Sequence, residues 1–194
     1  MEGKYYIKKL DEPLNKHTHV VFNINNEFNL FYDDVRKFGR MKLINKEDLE
    51  DTINVGVEPL EDKFTVAYLK DKFKNIKLPI KTALLDQTII AGIGNIYDNE
   101  ILYLSGLNPL KKANEVTDKE LELIIKNTKE VLTEAIKHKG TTIKSYEALG
   151  NHGGFQDKLC VQGRKDEPCL RCGTKINKIV VNGRGTYYCP KCQK

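Results

Sequence analysis

Residues 169–192, CLRCGTKINKIVVNGRGTYYCPKC, carry Cys169, Cys172, Cys189 and Cys192 as two Cys-x-x-Cys knuckles with sixteen residues between them. Each knuckle offers two thiolates. Zn²⁺ takes four such ligands tetrahedrally and so stabilises a segment too small to have a core of its own. Between the knuckles, Lys175 to Val181 reads as a strand, Asn182-Gly183 as a hairpin turn and Thr186 to Tyr188 as the returning strand. The segment is therefore a zinc-clamped β-hairpin with Arg184 at its tip, away from the metal. Spacing alone leaves two readings: a staple for the C-terminus, or a finger whose tip also meets a ligand.

Charge bears on that choice. The chain has 194 residues and a net charge of +5, and Lys139 to Lys194 holds eleven Lys/Arg against four Asp/Glu. The preceding residues carry 21 against 23, so the positive charge is concentrated at one end. Four thiolates with one Zn²⁺ still leave that end basic, which favours a polyanion over a merely solvated face. The sequence has no signal peptide, no apolar run long enough for a bilayer and no lipidation motif, so a cytosolic protein is expected. In a reducing compartment paired cysteines favour metal over disulfide. Cys160 is left over, and reads as a buried or half-buried thiol that is not a ligand.

Upstream of the finger the periodicity changes twice. From Tyr5 to about Ile44 it is that of strands: Val20, Phe22 and Ile24 alternate with His19, Val21 and Asn23, and Leu30 and Tyr32 continue beyond a turn at Asn25-Asn26. A few short strands make a poor independent unit, so this sheet is expected to pack against something further. From Glu61 the period is helical, through Phe64, Ala67, Tyr68 and Lys72 and later through Leu121, Ile124, Ile125, Leu132 and Ile136. Thr117 with Glu120 forms a capping box for the later helix and Gly140 is placed to end it. Residues 140–163 are glycine-rich and polar and read as a mobile loop. The expected fold class is α+β: a partial antiparallel β-sandwich over residues 1–58, a helical module over 59–158 and the finger over 159–194.

Between the helical stretches lies Gly92-Ile93-Gly94-Asn95-Ile96-Tyr97, followed by Glu100. A helix that begins at Asn95 after a glycine turn exposes unpaired backbone N–H groups and the positive end of its dipole, which suits a phosphate oxygen, and Asn95 can add an amide donor. Taken alone, Gly-x-Gly-Asn is a weak signal that describes a plain helix–turn–helix corner more often than a binding site, and it does not match the dinucleotide fingerprint.

The chain resembles the formamidopyrimidine-DNA glycosylase family, with its endonuclease VIII relatives, over essentially its whole length. The carriers are Met1-Glu2-Gly3-Lys4-Tyr5, Asp34-Val35-Arg36-Lys37-Phe38-Gly39, Leu84-Leu85-Asp86-Gln87, the glycine turn with Asn95 and Glu100, Gly163-Arg164, and Gly183-Arg184-Gly185-Thr186 before the second knuckle. The resemblance implies a two-domain base excision repair enzyme, a glycosylase and abasic-site lyase for formamidopyrimidine and 8-oxoguanine. Its parts are an N-terminal β-sandwich, a helix–two-turns–helix module and a finger with one structural Zn²⁺. The implied partner is double-stranded DNA with an oxidised or missing base, bound by a monomer that associates with the bacterial nucleoid and not with a membrane.

Such an enzyme extrudes the damaged base and fills the hole it leaves. By the family pattern the filling falls on Met1, Arg36 and Phe38, with Arg36 facing the orphaned base. Asn95 and Arg184 grip the flanking phosphates, Arg184 also serves the elimination step, and His17 and Lys81 match further DNA-contacting positions. Ile76 stands where relatives are often basic, and Ser145 to Phe155 correspond to the loop that folds over an oxidised purine.

The family opens with Pro-Glu-Leu-Pro-Glu, whose proline amine forms a Schiff base with the sugar. Here Met1 corresponds to an internal methionine, and a lysine of the family's first domain is also lacking, as in a relative shortened by its first third. Two readings follow. One is the larger part of a bifunctional glycosylase/lyase; the other is a non-catalytic, zinc-dependent binding module for damaged DNA. A zinc protein for RNA or for another protein is a distant third, disfavoured by the set of Arg36, Asn95 and Arg184.

Overall fold

In the computed structural model, residues 3–52, 54–141 and 153–194 are described. They fall into two compact units, the first comprising residues 1–49 with 137–157 and the second residues 50–136 with 158–194. The finger thus shares a unit with the helices.

The first unit is built on a three-stranded antiparallel sheet of β1 (Lys4–Lys9), β2 (Thr18–Ile24) and β3 (Phe28–Asp33), with β3 in the middle. Val20 pairs with Tyr32 and Phe22 with Leu30, so the alternating apolar residues share one face. That face stays exposed at Ile7, Phe22 and Phe28, whereas Phe31 on the opposite face is buried. Asn25 and Asn26 turn β2 into β3 at φ of 52° and 55°, a left-handed conformation that asparagine tolerates. The expected loop after the long helix is anchored at its edges: Thr141 bridges Gly154, and Gly154 N donates to His138 O at 2.8 Å.

The second unit contains a single helical turn α1 (Leu49–Thr52, which begins at its border), then α2 (Val66–Phe73), α3 (Ile80–Leu84), α4 (Asn95–Ser105) and α5 (Asp118–Lys137, which ends at its border). Its core gathers Leu69, Phe73, Leu84, Ile101, Leu121 and Ile124, all essentially inaccessible to water. The expected capping box opens α5: Glu120 N donates to Thr117 Oγ1 at 3.4 Å and Thr117 N to Glu120 Oε2 at 2.8 Å. Thr65 likewise caps α2, its hydroxyl accepting from Tyr68 N at 3.2 Å. Gly106, at φ 70°, ends α4 in the left-handed conformation that releases the chain from a helix. The finger hairpin pairs β4 (Asn177–Val181) with β5 (Arg184–Tyr188) through Asn182 and Gly183, both at positive φ, as a two-residue hairpin turn requires. No helix among the described residues is long and apolar enough to cross a membrane.

Candidate nucleic-acid interface and metal centre

The sulfur atoms of Cys169, Cys172, Cys189 and Cys192 lie within 4.8 Å of one another. Tetrahedral Zn–S bonds of about 2.3 Å put neighbouring sulfurs about 3.8 Å apart. The Cys169–Cys192 and Cys172–Cys189 pairs stand at 3.9 and 3.5 Å, so the four thiolates fit one structural Zn²⁺. Cys160 stands outside this group, half-buried, and burial pushes its thiol up to about 11, as expected of a bystander.

The finger is fastened to the end of α4. Arg171, inside the first knuckle, donates its guanidinium to the carbonyls of Tyr103 and Leu104 at 3.0 and 3.2 Å. Both belong to the last turn of the helix, where Tyr103 O also accepts from Gly106 N at 3.1 Å, and a cation there opposes the helix dipole. Gln193, beside the second knuckle, accepts from Cys189 N and donates to Leu107 O, each at 2.8 Å. Tyr103, Val161, Ile176, Cys169 and Cys189 form one small core, so helix and metal site share their apolar packing.

At its other end, α4 meets the hairpin tip. The turn before the helix is stapled by Gln87, whose side chain accepts from Gly92 N at 2.8 Å and donates to Ile93 O at 3.0 Å. Asn95, the first residue of α4, donates its side-chain amide to Gly185 O at 3.1 Å. One helical turn later Asn99 reaches the same carbonyl at 3.4 Å and also donates to Gln162 Oε1 at 2.6 Å. Next to it, the buried Glu100 accepts from the backbone N–H groups of Cys160, Val161 and Gln162 at 2.7 to 3.0 Å. This side of α4 therefore aligns the finger from root to tip. Arg184, beside Gly185, is exposed, and its guanidinium makes no hydrogen bond or ion pair among the described residues. A free guanidinium next to a helix N-terminus and a glycine turn is a place where an anionic oxygen can be held.

Lys81 departs from the expectation of a DNA-contacting cation. Its side chain is fully buried, with Nζ 2.7 Å from Asp98 Oδ2 and 2.8 Å from Asn99 Oδ1. A desolvated ammonium needs a paired carboxylate, and this one holds α3 to α4 and does not reach the surface. Burial pushes the Asp98 carboxyl up to about 6 against the opposing pull of Lys81. Asp98 Oδ1 has no partner among the described residues, in keeping with that shift.

In the first unit, Asp34 organises the segment that follows β3. Its carboxylate accepts from Gly39 N at 2.8 Å, Arg36 N at 3.0 Å and Tyr32 OH at 3.2 Å. The Gly39 amide, followed by that of Arg36, holds the carboxyl below its ordinary range. Gly39 packs so closely on the Tyr32 hydroxyl that a side chain there would collide with it. The resulting loop presents Arg36 stacked on the Phe38 ring at 4.6 Å, with both residues exposed. His17 is half-buried and is tied in by its backbone, its N–H donating to Asn15 Oδ1 at 2.6 Å and its carbonyl accepting from Asp34 N at 2.9 Å. Met1, and Ser145 to His152 of the expected lesion loop, lie outside the described residues. The polar runs Asp34 and Asp98-Asn99-Glu100 were in view in the sequence, but nothing there named their partners.

Comparison with known proteins supplies the remaining context. Family descriptions match three stretches: the formamidopyrimidine-DNA glycosylase N-terminal domain over residues 1–41, the H2TH domain of the same glycosylase over 55–147, and a zinc finger found in FPG and IleRS over 166–194. The chain is 46% identical to the formamidopyrimidine-DNA glycosylase of Bacillus licheniformis, matching all of this chain and 72% of that protein. It is 45% identical to the same enzyme of Bacillus subtilis, of which it covers 71%. Among solved structures, a complex of Lactococcus lactis Fpg with abasic-site DNA superposes with a TM-score of 0.92 at 40% identity, over all of this chain and 72% of that one. A structure of MutM with DNA containing carbocyclic 8-oxo-G superposes at 0.90 with 38% identity, over the same shares of the two chains.

Proposed function

The chain belongs to the formamidopyrimidine-DNA glycosylase family of base excision repair enzymes, and from that membership we propose that its residues grip duplex DNA at an oxidised purine or an abasic site. The observation that carries the reading is the exposed Arg184 guanidinium, unpaired among the described residues, beside Gly185, whose carbonyl is fixed to the head of α4 by Asn95. Two donors on a rigid frame suit the phosphates flanking a lesion. In the same reading Arg36 and Phe38, stacked and exposed, enter the space left by an extruded base, a role that the family pattern also gives Met1, and His17 contacts the DNA. Arg184 also serves the elimination step that follows base removal.

The family's chemistry couples base removal to strand scission through an amine that attacks the sugar. The 194 residues contain no Pro-Glu-Leu-Pro-Glu run, so we assign them the grip, the finger and the elimination arginine, without the attacking amine. Borohydride trapping on an abasic-site duplex, run beside binding at a series of salt concentrations, tests both halves. Salt-sensitive binding without a covalent adduct is expected. An adduct would show that an amine of these residues does attack, and binding indifferent to salt would overturn the phosphate grip.

A further inference from the structure

The geometry points to Tyr103 as an outer-sphere partner of the zinc site, its phenol O–H donating to the Cys169 thiolate at 3.3 Å. The direction of this bond follows from the metal chemistry. A zinc-bound cysteine has given up its proton, so the sulfur can only accept and the hydroxyl must donate. Tyr103 is 1% exposed, and its hydroxyl meets no other acceptor among the described residues. A buried hydroxyl with a single partner spends its bond there.

The need for such a donor is electrostatic. Four thiolates around one Zn²⁺ carry a net charge of −2, and Cys169 and Cys189 hold part of it inside an apolar core. A charge removed from water has to be met by donors of the protein. Among the donors that meet Cys169 are the hydroxyl of Tyr103 and the backbone N–H of Arg171 at 3.4 Å. The Arg171 guanidinium lies over the Tyr103 ring at 4.6 Å, and a cation on the ring face makes the phenol a stronger donor. One side chain of α4 thus shields the sulfur that opens the first knuckle, so the helix that positions the hairpin tip also helps retain the metal. Nothing in this role depends on the DNA reading.

Tyr103→Phe keeps the ring, its packing and the arginine stack, and removes only the donor. In the full chain we expect zinc transfer to a chromophoric chelator at neutral pH to become about tenfold faster, the lower end of what losing an outer-sphere hydrogen bond costs a metal site. In the cobalt-substituted protein the sulfur-to-cobalt charge-transfer band should move to lower energy, because an unshielded thiolate donates more readily. The band is read at equilibrium in the folded cobalt form, so it separates the lost hydrogen bond from general loosening of the core. A Tyr103→Phe protein with the wild-type release rate and the wild-type cobalt band would overturn the assignment.

Discussion

Asn95 at the head of α4 donates its amide to the carbonyl of Gly185, ninety residues further along the chain and one residue beyond Arg184. The bond ties the helix terminus to the hairpin tip, so the backbone beside Arg184 is held at the head of α4. In the proposed reading, the phosphate grip is therefore a property of the pair.

Asn95→Ala removes one hydrogen bond, worth about 1 kcal/mol, and frees the tip to move. We expect affinity for an abasic-site duplex to fall about fivefold to tenfold, with zinc content and helicity unchanged. Titration of labelled duplex at fixed salt reads this directly, and wild-type affinity would mean that the tip is held well enough without Asn95.

Arg184→Ala removes an exposed side chain that forms no hydrogen bond or ion pair among the described residues. Binding should weaken across all duplex sequences, and the slope of log affinity against log salt should drop by about one, the signature of a lost phosphate contact. A slope equal to wild type would deny the arginine that role.

Arg36→Ala should spare the fold in the same way, since the loop is set by the Asp34 carboxylate and the Arg36 backbone N–H, which the substitution keeps. The expected loss is selective: affinity for a duplex with a missing base falls toward that for an undamaged one. Parallel binding curves on the two duplexes measure it, and an unchanged ratio would remove Arg36 from the emptied stack.

What the sequence revealed of this arrangement depended on range. The hairpin turn at Asn182-Gly183, the Thr117–Glu120 box and the helix start at Asn95 are decided within a few residues, and each was legible. The knuckles were legible too, because metal-ligand spacing is a local code. The bond from Tyr103 to Cys169, the clasp of Glu100 on Cys160, Val161 and Gln162, and the pairing of Lys81 with Asp98 join residues 17 to 66 positions apart. No period or spacing encodes such partners. Lys81 shows the cost: as a letter it reads as a surface cation, and only the packing of α3 on α4 makes it a buried one.

Asp98→Asn leaves the buried Lys81 ammonium without its counter-charge. Breaking a buried pair from one side costs about 3–5 kcal/mol, so urea unfolding at neutral pH should show a loss of that order. Replacing both partners, Lys81→Met with Asp98→Leu, should recover most of it. The pH dependence has a definite sign. Asp98 titrates near 6 in the fold against an ordinary 3.8, so between those values the folded chain holds a proton that the unfolded chain has lost. The stability this contributes is present below the unfolded value and is lost as pH rises through about 6. Asp98→Asn should flatten that part of the wild-type profile, and an unaltered profile would exclude Asp98 as its source.

Zinc removal should reach beyond the finger. The metal supplies the folding free energy of a thiolate-held segment, about 10–16 kcal/mol in isolated fingers, so chelation unfolds the hairpin and both knuckles. Arg171 then leaves the carbonyls of Tyr103 and Leu104, and Gln193 leaves Leu107 O. The shared core of Tyr103, Val161 and Ile176 opens with them. The last turn of α4 thereby loses the arginine that bonds the Leu104 carbonyl and is left with an exposed tyrosine, while α5, with its own cap and buried face, keeps its protection. Hydrogen exchange followed by mass spectrometry, with and without chelator, should show faster exchange in peptides covering the finger and residues 102–108 and no change in those covering 118–136. Protection retained at 102–108 would mean that α4 ends stably on its own and that the finger is only attached to it.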